Sequence, residues 1–192
     1  MLVREGGFTL PEVLLAMAFG SLIAIAAAKT YPLLRQQTLA LGQHYRLEVT
    51  LRQIAFGIEK DLRRAGFCAG QCTGKPLLIG NAEGEATGSC VIVVYDLNRN
   101  GRWEDAGGSD AEQFGYRLHR GALETQRGVT HCRGNGWERV FDQDDIIIEA
   151  FTVAVTPGMS GKTQVALALT GRSAFNADIR RSMRWAIALE AR

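Results

Sequence analysis

Charge of a single sign is missing from this sequence. Lys and Arg number 22 against 20 Asp and Glu, a net charge of +2 at pH 7, so nothing in it points to nucleic acid. Internal repeats, low-complexity linkers and a second domain boundary are absent as well. With 192 residues, 46% hydrophobic and 22% charged, the chain has the make-up of one folded domain with a real core. Complete catalytic motifs are also wanting. Thr156 stands where "GMSGKT" (158–163) would need the first glycine of a phosphate-binding loop. The "QVALALT" that follows alternates like a strand where that motif requires a helix, so the stretch reads as a hairpin loop. Ser160 lacks the second glycine of a nucleophile elbow, residue 162 being Lys. His44, His119 and His131 fall into no HExxH or similar metal spacing. The expectation is a protein that is not an enzyme.

What the sequence does have is one long apolar run with an acid in it, "EGGFTLPEVLLAMAFGSLIAIAAAKTYP" (5–32). From Phe8 to Ala28 a helix would reach about 31 Å, enough to cross a bilayer core of roughly 30 Å. An ionised acid at the centre of such a span costs about 2.5 to 3.5 kcal/mol. Glu12 lies only about 6 Å from Phe8, near the positive end of the helix dipole, which lowers that cost. An ionisable group inside a span still calls for a partner. A secretory signal peptide would use Ala26 and Ala28 as its cleavage site, but the preceding "MLVREGGFTLPE" has one Arg against two Glu and contains a proline. A plain signal anchor accounts for the length and leaves Gly6-Gly7, Pro11 and Glu12 without a reason.

Beyond the span, Pro32 is expected to bend or interrupt the helix. Helical periodicity resumes with Leu47, Leu51, Ile54, Ile58 and Leu62, supported by Glu48–Arg52 and Glu59–Arg63 pairs, and should end near Gly66. Strand patterns follow: "CVIVVYD" (90–96), a hairpin over 114–126 around Arg120-Gly121, "DIIIEAFTVAV" (145–155) and "KTQVALAL" (162–169). In "SMRWAIAL" strict alternation puts Met183, Trp185, Ile187 and Leu189 on one face. The fold class expected is α+β, one long N-terminal helix against an antiparallel sheet. Four cysteines fit an oxidising compartment and allow three pairings. Cys68–Cys72 with Cys90–Cys132 is preferred, zinc at Cys132 and His131 being the rival reading.

One loop has the spacing of a calcium site. "DLNRNGRWE" sets Asp96, Asn98, Asn100 and Glu104 at first, third, fifth and ninth positions around Gly101, with the Arg102 carbonyl as a further ligand. The twelfth position is Gly107, where an EF-hand has its bidentate Glu, so the site would be weak, on the order of 0.1 to 1 mM. The competing reading is a hairpin turn at Asn100-Gly101. No other cofactor is expected.

The N-terminal pattern resembles that of the type IV prepilins. In "MLVREGG | FTLPEVLLAMAFGSLIA" a short hydrophilic leader ends at Gly7, Phe8 follows, and Glu12 is fifth after the junction. "IEKDLRRAGF" (58–67), "VYDLNRNGRWED", "FGYRL" and "MRWAIALEAR" are similar to segments of minor pilins related to the J-type pseudopilin of type II secretion, and to the prepilin peptidase-dependent protein B group. The resemblance implies cleavage between Gly7 and Phe8, N-methylation of Phe8, and a Glu12 that pairs with the Phe8 amine of a neighbouring subunit. It implies a leader at 1–7, a transmembrane and filament-core helix at 8–28, an amphipathic continuation at 29–66 and a periplasmic β-rich domain at 67–192. The function implied is a minor pilin of the inner membrane that initiates or caps a type IV pilus or a secretion pseudopilus. Prepilin peptidase, other minor and major pilins and the assembly platform are its implied partners. The alternative is a membrane-anchored or secreted periplasmic domain with another binding or enzymatic activity.

Overall fold

In the computed structural model, which describes residues 7–157 and 163–189, the apolar run and the amphipathic stripe belong to one helix, α1 (Leu10–Arg64). The expected interruption at Pro32 is not found: Pro32 forfeits its own N–H bond, and the helix continues on both sides. Two compact units divide the chain, one up to Gly42 and the other from Gln43 onward. Within the first, the side chains of α1 are exposed on every face.

The second unit begins with the amphipathic part of α1. Leu47, Leu51, Ile54, Ala55, Ile58, Asp61 and Leu62 are buried, at the three- and four-residue steps that align side chains on one helix face. Glu48–Arg52 at 2.8 Å and Glu59–Arg63 at 2.6 Å form on the outer face, where each pair contributes only a few tenths of a kcal/mol. Arg63 and Arg64 sit in the last turn against the negative end of the dipole. Gly66 then turns the chain with a φ of 83°, a conformation that favours glycine, and donates its N–H to the Val94 carbonyl at 2.9 Å. The end of the helix is thereby fastened to a strand.

The strands are antiparallel throughout but lie in two sheets where the sequence pattern led to one. The first sheet runs in chain order through β1 (Leu77–Gly80), β2 (Cys90–Val94), β3 (Gln113–His119), β4 (Ala122–Arg127) and β5 (Glu138–Arg139). The second is β6 (Ile146–Pro157), β7 (Thr163–Ser173) and β8 (Arg180–Ala188). The two-residue β5 ends the first ladder, and β6 hydrogen-bonds to loops of that sheet, Ile148 N–H to the Gly121 carbonyl and Val153 N–H to the Gly88 carbonyl, while its side chains share the core with β2–β4. A bulge between Ile148 and Ala150 leaves Glu149 outside the register, where it holds Arg172 and Arg180. The expected hairpin around Arg120-Gly121 is β3–β4, and Met183, Trp185, Ile187 and Leu189 alternate inward as read. The "GMSGKT" stretch lies mostly outside the described residues.

One core joins the helix to both sheets. Leu47, Leu51, Ile58 and Leu62 pack in a single cluster with Val91, Leu123, Ile148, Phe151, Leu167, Leu169 and Ile187. Each such side chain contributes about 1.5 to 3 kcal/mol when fully buried.

Candidate functional site

The N-terminal segment is organised by its own helix start. Thr9 precedes α1, and its carbonyl accepts the N–H groups of Glu12 at 3.0 Å and Val13 at 3.2 Å. Its hydroxyl donates to the Glu12 carboxylate at 3.5 Å, an exposed side-chain contact at the three-residue spacing that a capping box uses. Pro11 falls in the first turn, where a missing N–H costs nothing. Local structure therefore accounts for Pro11 and for an acid at Glu12, but uses little of the carboxylate. Phe8 is 82% exposed, and the apolar side chains that follow, from Leu10 through Ile25, have no cover within the chain. A helix apolar all round is either a span or buried among other helices. The helix is long and apolar enough to cross a membrane.

A second cluster lies in the long connection from β2 to β3, residues 95–112. Asp96 is buried, and its oxygens accept backbone N–H groups from Ala69 and Gly101 at 2.9 Å and from Asn100 at 3.1 Å. Burial alone would raise its carboxyl pKa, but these backbone donors outweigh it and hold the group below the usual range. The carboxamide oxygens of Asn98 and Asn100 accept N–H groups of Asn100 and Arg102. Glu104 faces the side chains of Asn98, Asn100 and Arg102, and the Asn100 amide, chiefly, keeps its carboxyl low. Asn100-Gly101 is a turn inside this long loop rather than the tip of a two-residue hairpin: Arg99 and Gly101 have φ of 63° and 86°.

The sequence expectation left out Glu112. This side chain is fully buried, its Oε1 accepts the N–H groups of Leu97 and Asn98, and its Oε2 receives no hydrogen bond. Burial, with the adjacent Glu104 charge, pushes its carboxyl above the usual range. Nothing in local spacing marks it, because the chain returns from the loop only at the start of β3.

The disulfides brace these elements. Cys68 joins Cys72 and Cys90 joins Cys132, the preferred pairing, with Cα separations of 6.0 and 6.1 Å. The 68–72 loop packs on the β2–β3 loop so closely that a Cβ on Gly70 would come within 2.8 Å of the Gly101 backbone. Cys132 pins the segment whose carbonyls, at Cys132 and Gly134, accept from the buried Arg117 at 3.0 and 3.2 Å. Arg117 also pairs with Glu124 at 2.8 Å and lies 4.4 Å from the centre of the Trp137 ring. His44, His119 and His131 stay apart, and among the described residues no three His, Cys, Asp or Glu side chains gather as a metal group.

One long N-terminal helix, apolar at its start and amphipathic beyond, thus joins the core of a disulfide-bonded, antiparallel β domain. The family model for prepilin peptidase-dependent protein B matches residues 40–189, and the chain belongs to that family. Prepilin peptidase-dependent protein B of Escherichia coli is 41% identical over 166 residues, 86% of this chain and 85% of that one. Among solved structures, a type IV-like pilin from Thermus thermophilus is similar at 16% identity, covering 75% of this chain and 95% of that one with a TM-score of 0.49.

Proposed function

We propose that this chain is a minor, pseudopilin-like pilin: a non-catalytic subunit that initiates or caps a type IV pilus or a related secretion pseudopilus. Prepilin peptidase removes residues 1–7, and the new amine on Phe8 is N-methylated. Residues 8–28 hold the subunit in the inner membrane, with residues 67–192 in the periplasm, until the assembly platform draws it among other minor and major pilins. The observation that carries the reading is an uncovered apolar helix whose first turn offers a scarcely used carboxylate, Glu12, just after a Gly7-Phe8 junction. In the filament that carboxylate faces the Phe8 amine of a neighbour. Charge paired in an apolar interior offsets part of its desolvation, and an unpaired one is heavily penalised.

Two measurements test this. N-terminal mass spectrometry of membrane-extracted protein should find N-methyl-Phe8 as the first residue; a start at Lys29 would make it a secreted protein. Glu12→Ala should leave insertion and processing intact, since it removes a charge from the span. Crosslinking to partner pilins and the number of surface pili, or the amount of secreted product, should fall well below wild type. Glu12→Gln tests the charge at constant shape. If Glu12→Ala assembles as wild type does, Glu12 is only a helix-start acid.

A further inference from the structure

Where α1 ends, two arginines share a cavity with an apolar floor. It has a volume of about 280 Å³ and is lined by Arg64 and Phe67 at the end of the helix and by Tyr95, Asp96, Leu97 and Arg99 in the chain leaving β2. The floor is held from behind. The Tyr95 ring stacks on Phe114 with centroids 4.6 Å apart, and the Phe67 carbonyl accepts the Asp96 N–H at 2.9 Å and the Trp103 indole N–H at 3.0 Å. Arg64 lies over the Tyr95 ring, 5.6 Å from its centre. Among the described residues neither Arg64 nor Arg99 pairs with a carboxylate. The acid in the lining does not serve them: Asp96 is buried, and its oxygens take the backbone N–H groups of Ala69, Asn100 and Gly101. Asp61, which accepts from the Tyr95 hydroxyl, is buried as well. The dipole at the end of α1 accounts for a cation at Arg64 but not for a second one at Arg99. Arg99 has a φ of 63°, in the left-handed region that glycine and asparagine occupy at least cost. The turn would form more easily with either of those, so local structure gives no reason for the arginine.

We propose that this cavity receives an acidic side chain of another pilin, its carboxylate facing Arg64 and Arg99 and a neighbouring apolar side chain resting on Tyr95 and Leu97. The proposal rests on this chain being a pilin, whose partners are other subunits. Charge complementarity selects the occupant. Guanidinium forks match a carboxylate with two parallel hydrogen bonds, and the aromatic and aliphatic floor takes the apolar part. The volume lies just under the range of about 300 to 1,000 Å³ usual for small-molecule and cofactor sites, and suits one or two side chains.

The test places a photo-crosslinking residue at Leu97, exposed at the rim, in the full-length chain within cells that assemble the filament. A second position, Val13 in the exposed apolar helix, reports subunit contact independently. Adducts from Leu97 should map by mass spectrometry to the soluble domain of another pilin, close to an Asp or Glu. Arg64→Gln combined with Arg99→Asn should lower the Leu97 adduct at least about tenfold relative to the Val13 adduct, the scale of a lost charge-assisted contact. Asparagine suits a left-handed backbone, so Arg99→Asn alone should melt no lower than wild type, which separates lost docking from lost fold. Arg99→Glu should abolish the Leu97 adduct, and replacing the mapped acid of the partner by arginine should restore it. Leu97 adducts that survive these substitutions, or that map to phospholipid or to an uncharged segment, overturn the docking site. Val13 adducts without any from Leu97 do the same. No pilin adduct from either position overturns the pilin reading, and the docking site with it.

Discussion

Replacing Cys90 and Cys132 together by alanine is expected to destabilise the folded chain by about 4 kcal/mol, and the same change at Cys68 and Cys72 by only about 2 kcal/mol. The difference follows from the chain length each bridge closes: the sequence separations are 42 and 4, and a longer loop removes more freedom from the unfolded chain. Native contacts push the same way. The Cys90–Cys132 bridge fastens β2 to the segment that supplies Arg117 with two carbonyl acceptors. Arg117 is buried, and a buried cation that loses acceptors is penalised in proportion to its desolvation. Denaturant unfolding of oxidised protein in detergent, followed by tryptophan fluorescence, gives both differences. Equal losses for the two pairs would show that native-state packing, and not the entropy of the unfolded loop, sets the contribution of these bridges.

Periodicity reveals which residues form an element and which face they bury, and that part of this fold was legible. The stripe from Leu47 to Leu62 and the alternation from Met183 to Leu189 are patterns that a single burial direction imposes. β1 and β5 were missed because four and two residues are too few to show a period. The split into two sheets was also invisible, since alternation says nothing about which strand lies alongside. At the candidate sites, the Gly7-Phe8 junction and the Asp96 loop could be read because their residues are neighbours in sequence. Thr9 was legible in principle as the partner of Glu12 three residues on, and was passed over. Glu112 and Tyr116 were not legible. Each reaches its partner across a long loop or from another element, and only the register of β3 brings it there.

Asp61 was open to reading as an anomaly, an acid inside an otherwise apolar stripe, and substituting it should have one of the larger effects in this chain. It is buried on α1 and accepts hydrogen bonds from two hydroxyls, that of Tyr95 just after β2 at 3.1 Å and that of Tyr116 on β3 at 2.6 Å. Asp61→Leu suits the stripe but leaves both hydroxyls without their acceptor. At about 1 to 3 kcal/mol for each hydroxyl left unsatisfied, the loss should be about 2 to 6 kcal/mol. Adding Tyr95→Phe and Tyr116→Phe should recover most of it, because removing both partners of a buried hydrogen bond costs far less than removing one. The tyrosines also give the tie a pH dependence. Burial first, and then the Asp61 charge, push Tyr95 up to about 12 and Tyr116 higher still. In the unfolded chain a tyrosine loses its proton near pH 10. Between these limits the folded state holds more protons, so stability is intact below about pH 10 and falls as the pH rises toward about 12. Alkaline unfolding of wild type and Tyr95→Phe measures this: the variant should start less stable and decline less steeply over that range. A triple variant as unstable as Asp61→Leu alone would mean that leucine does not fit the helix face, and that the hydroxyls are not the reason for the acid.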